Sequence, residues 1–415
     1  MHVTRLPFTI TLGLVSSAPP RQCGIATYSK DLADAIRAAG EPNVHVLWAA
    51  IEADEPSLSY APDVRWTIRQ GDACSYRAAA ESLNASGVDV VHVQHEFGLY
   101  GSFGETYDDH IEAFWEAIRL PVITTLHSVL PNPPQDMRTA VQAIARHSSV
   151  VIGMAERART LLTTQYGVPA SKVRVIPHGV PPVSPLTKSQ ARQELGWPQE
   201  RRIISTFGLL DPRKGLEYAI RAMAPIVAQC PDALYLVLGA SHPEVVRRTG
   251  DSYRRELERL VDELGLSQSV QLVNRYLTQG EIVSALRATD LYVTPYLDPN
   301  QITSGTLAYA LGAGKAVVST PYLHAAEALA EDRGVLVPFR DADALATALL
   351  RLLVDPGHRA QIEESAFAWG SQAFWPVVGQ RMLQLSHEVL LPGLSDVTRP
   401  PLASAPIPDA LSLAG

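Results

Sequence analysis

Residues 298–320 combine hydroxyl and amide side chains with a glycine-rich turn in a part of the chain that carries almost no charge. Ahead of Lys315 its only charged residue is Asp298, which favours a position inside or along a cleft. A helical apolar pattern begins just after four residues of polar or flexible type: Gln301, Ser304, Gly305 and Thr306. Free backbone N–H groups at a helix start attract anions, so this pattern predicts a phosphate site. The alternative is an ordinary helix cap, for which Ser and Thr are also preferred.

Polar turns also follow several predicted strands in the first half of the chain. These turns contain Cys23, Gly24, His95, Glu96 and His127. In parallel sheets ligands bind at the carboxyl ends of the strands, so the three turns are expected to meet at one crevice. A single histidine is more often a core residue, but the combination of these side chains at adjacent strand ends favours a functional site.

In the second half, the turn that begins at Gly208 brings two cations, Arg213 and Lys214, beside a helix start. This arrangement is suited to binding a diphosphate, because the helix N-terminus and the cations favour the same charge. A lysine in an ordinary surface turn is the alternative.

The elements that must position these residues alternate between short apolar runs and helical patterns, which predicts parallel sheets covered by helices. The first set of predicted strands comprises Ile10–Val15, Val44–Ala49, Val88–Val93, Val122–Leu126, Val150–Ile152 and Val173–Ile176. The second set comprises Ile203–Phe207, Leu234–Leu238, Val270–Leu272, Leu291–Val293, Ala316–Ser319 and Val335–Val337. A proline-rich polar stretch at residues 181–200 separates the sets and indicates a domain boundary.

Composition excludes several classes of function. The 415 residues are 46% hydrophobic and 19% charged, enough for two or more globular domains. The net charge of −8, without a basic block, argues against nucleic-acid binding. Three widely spaced cysteines form no metal-binding pattern, so no metal site is predicted. No apolar run approaches the roughly 20 residues of a membrane-spanning helix; we expect a cytoplasmic protein, with peripheral membrane contact left open.

Five motifs, in order, resemble those of the retaining glycosyltransferases of family four, which have the GT-B fold of two facing Rossmann-like domains. They are Cys23-Gly24-Ile25 for Gly-Gly-Ile, Thr124-Thr125-Leu126-His127 for Thr-x-x-His, Ile176-Pro177-His178-Gly179 for Ile-Pro-Asn-Gly, Lys214-Gly215 for the Lys-Gly turn, and Gly314-Lys315-Ala316-Val317-Val318 for Gly-x-Pro-Val-Val. The resemblance implies an α/β chain divided into an acceptor-side domain (1–185), a linker (186–200), a donor-nucleotide domain (201–372) and a helix returning to the first domain (373–391). The proline-rich residues 392–415 are expected to form a disordered tail.

The resemblance also implies the reaction: transfer of a hexose, such as mannose or glucose, from a nucleotide diphosphate sugar to a hydroxyl of a saccharide or glycoconjugate. The anomeric configuration would be retained, and no metal or other cofactor would be obligatory. Lys214 would neutralise the leaving diphosphate and His127 would contact the donor sugar. Further donor contacts are expected from Gly24, Gly208, Arg213, Ser304, Gly305, Thr306 and Tyr309. Acceptor contacts are expected from Cys23, His95 and Glu96.

The chain departs from the family pattern at two glutamates, whose places are taken by Gln301 and Tyr309. The arginine that follows the first glycine of the donor domain is replaced by Leu209, although Arg213 lies close enough to substitute for it. Gln301 is therefore expected to join His127 and Lys214 as a catalytic residue. Three alternatives remain: a sugar-nucleotide epimerase, a phosphorylase with pyridoxal phosphate on Lys315, and a non-catalytic sugar-nucleotide-binding protein.

Overall fold

The computed structural model describes residues 9–21, 23–53, 58–241, 245–247 and 250–391. The predicted disordered tail, residues 392–415, lies outside these ranges. Within them the α/β architecture with two parallel sheets is confirmed.

The first domain is built on a parallel sheet for which the described residues provide seven strands, in the order β3-β2-β1-β4-β7-β8-β9. The strands are β1 Ile10–Ser16, β2 Val44–Glu52, β3 Val64–Arg69, β4 Val90–His95, β7 Val122–Leu126, β8 Val150–Gly153 and β9 Val173–Val175, with a hairpin of β5 Gly101–Phe103 and β6 Tyr107–Asp109 outside the sheet. The helices are α1 Gly24–Gly40, α2 Ala73–Ala85, α3 Phe97–Tyr100, α4 Glu112–Ala117, α5 Gln135–His147 and α6 Glu156–Thr164.

The second domain repeats this plan with a sheet that has six strands in the described part of the chain, in the order β12-β11-β10-β13-β14-β15. The strands are β10 Arg202–Phe207, β11 Ala233–Leu238, β12 Val270–Val273, β13 Leu291–Thr294, β14 Ala316–Ser319 and β15 Val335–Leu336. The helices are α7 Lys188–Leu195, α8 Leu216–Gln229, α9 Ser252–Glu263, α10 Gln279–Ala288, α11 Gly305–Gly312, α12 Leu323–Ala328, α13 Ala342–Val354, α14 Pro356–Gly370 and α15 Trp375–Leu390.

Each sheet is covered on both faces, which explains why most strands are continuous apolar runs. In the first domain one face packs in a cluster with Val91 and Phe114, and the other in a cluster with Leu14. β3 was not predicted because it is an edge strand, whose side chains alternate between partly buried and exposed positions. The β5–β6 hairpin, with three residues in each strand, was not predicted either.

Helix α15 belongs in sequence to the second domain but packs on the first, as predicted. Met382 and Leu385 are buried in one cluster with Leu32 and Ile36 of α1. The two helices approach so closely that a Cβ on Gly379 would lie 2.4 Å from a backbone oxygen of α1.

The chain crosses between the domains twice, and the two crossings are hydrogen-bonded to each other. The N–H of Val180 donates to the carbonyl of Ala373 at 2.8 Å, and the N–H of Trp375 donates to the carbonyl of Val180 at 2.9 Å. The segment expected to be a linker, residues 186–200, contains α7. Arg192 of α7 forms a buried ion pair of 2.7 Å with Asp290 of the second domain.

No helix in the described residues is long and apolar enough to cross a membrane.

Candidate functional site

A cleft of about 650 Å³ lies between the two domains, at the carboxyl ends of the central strands of both sheets. In each sheet the strand order reverses there, between β1 and β4 and between β10 and β13, which is the position where ligands bind in such folds. Most of the residues predicted from the sequence line this cleft: Cys23, Gly24, Glu96, His127, Gly208, Arg213, Lys214, Gln301, Gly305, Thr306 and Tyr309. His95 and Ser304 do not line it; both are buried beneath its walls.

Lys214 is held in place by aromatic and hydroxyl groups. Its Nζ donates to the hydroxyl of Tyr296 at 2.9 Å and lies 4.5 Å from the centre of that ring. The Tyr296 hydroxyl is in turn 2.7 Å from Thr306 Oγ1. Gly208 has a φ of +121° beside this lysine, and a Cβ there would lie 3.3 Å from Nζ. The absence of a side chain at Gly208 therefore keeps the space next to the ammonium group open.

The N-terminus of α11 faces the same part of the cleft. Ser304 caps this helix, because its Oγ accepts a hydrogen bond of 3.3 Å from the N–H of Leu307. Gly305 and Thr306 follow in the first turn and line the cleft. A Cβ on Gly305 would lie 3.0 Å from Nε2 of His178, a residue of the first domain. The glycine therefore permits close contact between the domains as well as access to the helix N-terminus.

The two residues that replace the expected glutamates differ in their surroundings. The Nε2 of Gln301 donates to the carbonyl of Thr303 at 3.0 Å, which leaves the side-chain oxygen available to a ligand. The hydroxyl of Tyr309 lies 3.1 Å from Nε2 of Gln279. That same amide donates to Asp31 of α1 at 2.6 Å, so Gln279 links the two walls of the cleft. Burial raises the pKa of Asp31 to about 6, an effect that the hydrogen bond from Gln279 partly offsets.

His127 is neutral, and its orientation is fixed by a residue that the sequence analysis did not identify. Its Nε2–H donates to Oε1 of the fully buried Gln94 at 3.0 Å, which leaves Nδ1 as the hydrogen-bond acceptor. Burial, with smaller contributions from the nearby imidazoles of His178 and His95, lowers the pKa of His127 to about 3. The arrangement provides an uncharged hydrogen-bonding group at the cleft.

Three more residues missed by the sequence analysis, Tyr28, His178 and Trp375, form an aromatic cluster that contacts His127 through Tyr28. The ring of Tyr28 lies 4.8 Å from His127, 4.9 Å from His178 and 5.3 Å from Trp375, measured between ring centres. The Tyr28 hydroxyl is buried and has no hydrogen-bond partner in the described structure. Tyr28 belongs to the apolar stripe of α1, so the sequence pattern alone indicated a core residue. His178 lies in the motif Ile176-Pro177-His178-Gly179, where it replaces the asparagine of the family pattern. That replacement was the signal in the sequence that could have identified it as a site residue.

Glu96 caps the short helix α3 at the acceptor side of the cleft. Oε1 accepts from the N–H of Phe97 at 3.1 Å, and Oε2 accepts from the hydroxyl of Ser128 at 2.6 Å. Burial raises the pKa of this carboxyl group, and the two hydrogen bonds oppose the shift. Its neighbour His95 lies beneath it, stacked on Tyr100 at 5.2 Å, and neither ring nitrogen has a partner among the residues described.

Cys23 and Gly24 begin α1 at the rim of the cleft. The Sγ of Cys23 accepts from the N–H of Ala26 at 3.3 Å, so the thiol acts as the helix cap. A Cβ on Gly24 would meet no atom within 4 Å. The protein itself does not need glycine at this position, whereas a ligand approaching the helix N-terminus would.

Arg213 points along the cleft but is already paired. Its Nε and Nη2 each lie 2.9 Å from a carboxylate oxygen of Asp211. This bidentate pair raises the pKa of the guanidinium, and the carboxylates of Asp298 and Glu96 contribute further. Across the parts of the chain that the structure describes, no group of His, Cys, Asp and Glu side chains is arranged to hold a metal ion.

Comparison with known proteins accounts for both halves of the chain. Residues 23–183 match the family model described as Glycosyltransferase Family 4, and residues 187–369 match the model described as Glycosyl transferases group 1. The GDP-mannose-dependent monoacylated alpha-(1-6)-phosphatidylinositol monomannoside mannosyltransferase of Corynebacterium glutamicum is 24% identical over 400 residues, covering 90% of this chain and 97% of that protein.

Two solved structures are similar along nearly the whole chain. Sucrose-phosphate synthase from Thermosynechococcus elongatus superposes with a TM-score of 0.69 at 22% identity, covering 92% of this chain and 99% of that one. HepE from Anabaena, in complex with UDP-glucose, superposes with a TM-score of 0.68 at 20% identity, covering 91% and 99%. These similarities confirm the GT-B fold. The two family models, one for each half of the chain, show that it belongs to the family 4 and group 1 glycosyltransferases.

Proposed function

We propose that this glycosyltransferase moves a hexose, mannose or glucose, from a nucleotide diphosphate sugar to a hydroxyl of a saccharide or glycoconjugate, with retention of the anomeric configuration. The observation that carries the proposal is the setting of Lys214. Among the described residues no carboxylate pairs with its ammonium group, which is oriented by Tyr296 toward the open space beside Gly208.

A diphosphate in this space would meet two sources of positive potential. Lys214 supplies a full charge, and the first turn of α11 supplies N–H groups and the positive end of a helix dipole. The negative charge on a diphosphate leaving group grows as the glycosidic bond breaks. A fixed cation at that point stabilises the transition state more than the ground state.

The sugar of the donor would then lie between His127 and Gln301. Neutral His127 offers the Nδ1 lone pair to a sugar hydroxyl, and Gln301 offers an amide that both donates and accepts. Because an amide carries no charge, Gln301 repels the neighbouring diphosphate less than a glutamate would. Tyr309, beside Gln279, is assigned to the ribose, and Cys23 and Glu96 to the acceptor wall.

The names of similar proteins indicate which nucleotide sugars to test as donors. The Corynebacterium glutamicum protein is named for GDP-mannose and the HepE structure holds UDP-glucose, so GDP-mannose and UDP-glucose are the donors to test first. We further propose that the reaction takes place in the cytoplasm and requires no added cofactor.

The phosphorylase alternative is disfavoured by the position of Lys315. This lysine is buried, and its Nζ donates to the carbonyl of Thr289 at 3.1 Å, away from the cleft. Pyridoxal phosphate attached there would not reach the donor site.

The test is to incubate the purified protein with GDP-mannose or UDP-glucose, with and without saccharide acceptors, and to measure free nucleotide diphosphate. The NMR coupling constant of the new glycosidic bond would report retention or inversion. Nucleotide sugar that is isomerised, without release of the diphosphate, would indicate an epimerase. Binding without any release would indicate a non-catalytic protein.

A further inference from the structure

The two walls of the cleft differ in charge. Among the described residues, the cations that line it are Arg213 and Lys214, and both belong to the donor domain. The wall of the first domain carries two carboxylates, Asp31 and Glu96, and its described lining contains no lysine or arginine. Its other polar groups are neutral: hydroxyls, a thiol and two imidazoles that burial keeps uncharged.

Both cations of the donor domain in the described lining already interact with other groups. Lys214 is directed at the donor by Tyr296. Arg213 donates from Nε and from Nη2 to the carboxylate of Asp211, each at 2.9 Å. Asp298 and Glu96 also interact electrostatically with Arg213, so three carboxylates offset the charge of one guanidinium.

Glu96 retains the capacity to bind a ligand. A carboxylate can accept about four hydrogen bonds, and the protein uses one on each oxygen, from Phe97 and from Ser128. The wall also contains an unused donor, because Tyr28 lines the cleft and its buried hydroxyl has no hydrogen-bond partner in the described structure. Carboxylate acceptors and neutral hydroxyls are groups that bind the hydroxyls of a sugar.

We propose that the acceptor is a saccharide whose reacting end is uncharged, and that Glu96 both binds its hydroxyls and excludes acceptors with a phosphate group on that sugar. This inference rests on the proposed glycosyl transfer and narrows its acceptor. A phosphate against this wall would face two carboxylates, and the charge of the nearest cation of the described lining, Arg213, is already offset by Asp211, Asp298 and Glu96. Like-charge contacts of this kind are strongly unfavourable.

The test uses acceptor pairs that differ only by a phosphate: mannose and mannose 6-phosphate, glucose and glucose 6-phosphate, and inositol and inositol 3-phosphate, extended to neutral disaccharides and oligosaccharides. Release of GDP or UDP from the donor is measured at saturating donor for each. We expect kcat/KM for the neutral member to exceed that of its phosphorylated partner by at least about tenfold, as like-charge repulsion in a closed site requires.

The variant Glu96→Gln replaces the charged carboxylate by an uncharged amide of the same shape. In this variant, kcat/KM for the neutral acceptor should exceed that for its phosphorylated partner by no more than about threefold. Asp108→Asn, an exposed carboxylate outside the cleft, serves as the matched control and should leave the ratio unchanged.

Three outcomes would overturn the inference: a phosphorylated acceptor that exceeds its neutral partner, no acceleration by any neutral saccharide, or a ratio in Glu96→Gln equal to that of the unmodified protein. Donor chemistry without acceptor separates this failure from failure of the proposed function. If GDP or UDP binds and the donor is slowly hydrolysed, only the acceptor inference is lost; if neither occurs with either donor, the proposed function is lost with it.

Discussion

The buried amide of Gln94 accepts a hydrogen bond of 3.0 Å from Nε2–H of His127 and thereby selects one tautomer of this imidazole. Gln94 lies on β4 and His127 directly follows β7, the neighbouring strand of the same sheet. The contact is uncharged, so it orients the ring without favouring its protonated form. Burial can therefore keep the pKa of His127 as low as about 3.

Replacing Gln94 by glutamate should change the pH dependence of the reaction. A carboxylate at 3.0 Å would favour the imidazolium, and the pKa of His127 would rise toward or above its ordinary value of about 6.5. We expect kcat of Gln94→Glu to fall as the pH drops through this higher pKa, while the unmodified protein shows no such step above pH ~5. Gln94→Leu introduces no charge and removes the hydrogen bond, so it should lower kcat at every pH. If kcat falls at the same acidic pH in the unmodified protein and in both variants, the role assigned to Gln94 is wrong.

Removing the ammonium group of Lys214 should slow transfer strongly without unfolding the protein. Loss of one electrostatic donor in a closed site costs roughly 2.7–4 kcal/mol of transition-state stabilisation, or about 10²–10³ in kcat. Lys188→Ala is the control, because Lys188 pairs with Asp290 outside the cleft and half of its side chain is exposed. A loss smaller than tenfold in Lys214→Ala would move the diphosphate elsewhere, with Arg213 the first candidate.

Substitution of Gln301 should change the activity of the protein, whereas substitution of Ser304 should change its stability. Ser304 is the residue that caps α11, so Ser304→Ala should cost roughly 0.5–2 kcal/mol of unfolding free energy. The side chain of Gln301 makes one hydrogen bond, to the carbonyl of Thr303, and does not cap the helix. Gln301→Ala should therefore lower kcat at an unchanged melting temperature. If Gln301→Ala is the less stable of the two variants and remains fully active, its assignment to the donor sugar is wrong.

The buried histidines should make the fold sensitive to acid. Burial lowers the pKa of His95 and His127 to about 3, and of His178 to about 4. Between these values and about 6.5 the unfolded chain binds more protons than the folded one, so stability is present at neutral pH and decreases as the pH falls. Asp31 and Asp109 act in the opposite direction, because burial raises the pKa of each carboxyl group to about 6.

A single substitution isolates one histidine from these opposing effects. His95→Phe keeps the aromatic packing on Tyr100 and removes one titrating group, so the number of protons taken up on unfolding near pH 5 should fall by about one. The measurement is chemical denaturation at several pH values. His45→Gln, at an exposed position of β2, is the control and should leave the slope unchanged. An unaltered slope in His95→Phe would show that its imidazole is already protonated in the fold.

The sequence predicted most of the fold because each central strand is buried on both faces and is therefore a continuous apolar run. Val122–Leu126 and Ala316–Ser319 have in the structure the bounds that the pattern assigned. The strand Val64–Arg69 escaped this criterion, since it lies at the sheet edge and carries arginines on its exposed side.

The candidate site was predictable where a residue lies in a turn at a strand end, as with Glu96 and Lys214. It was not predictable where the function of a residue depends on a partner distant in the sequence. Tyr296 orients a lysine 82 positions away, and Gln94 orients a histidine 33 positions away. In the sequence, Gln94 lies within an apolar strand and Tyr296 comes just after one, so no local pattern distinguishes either from a core residue.

The pairing of Val180 with Ala373 and Trp375 joins the two inter-domain crossings at one point. We expect two crossings that meet in this way to act as a pivot, because sliding or separation of the halves would break both hydrogen bonds. The donor and acceptor walls should consequently return to the same alignment each time the cleft closes. After a single proteolytic cut just after Val180, α15, which is covalently joined to the second domain, would still hold the first domain through its packing on α1.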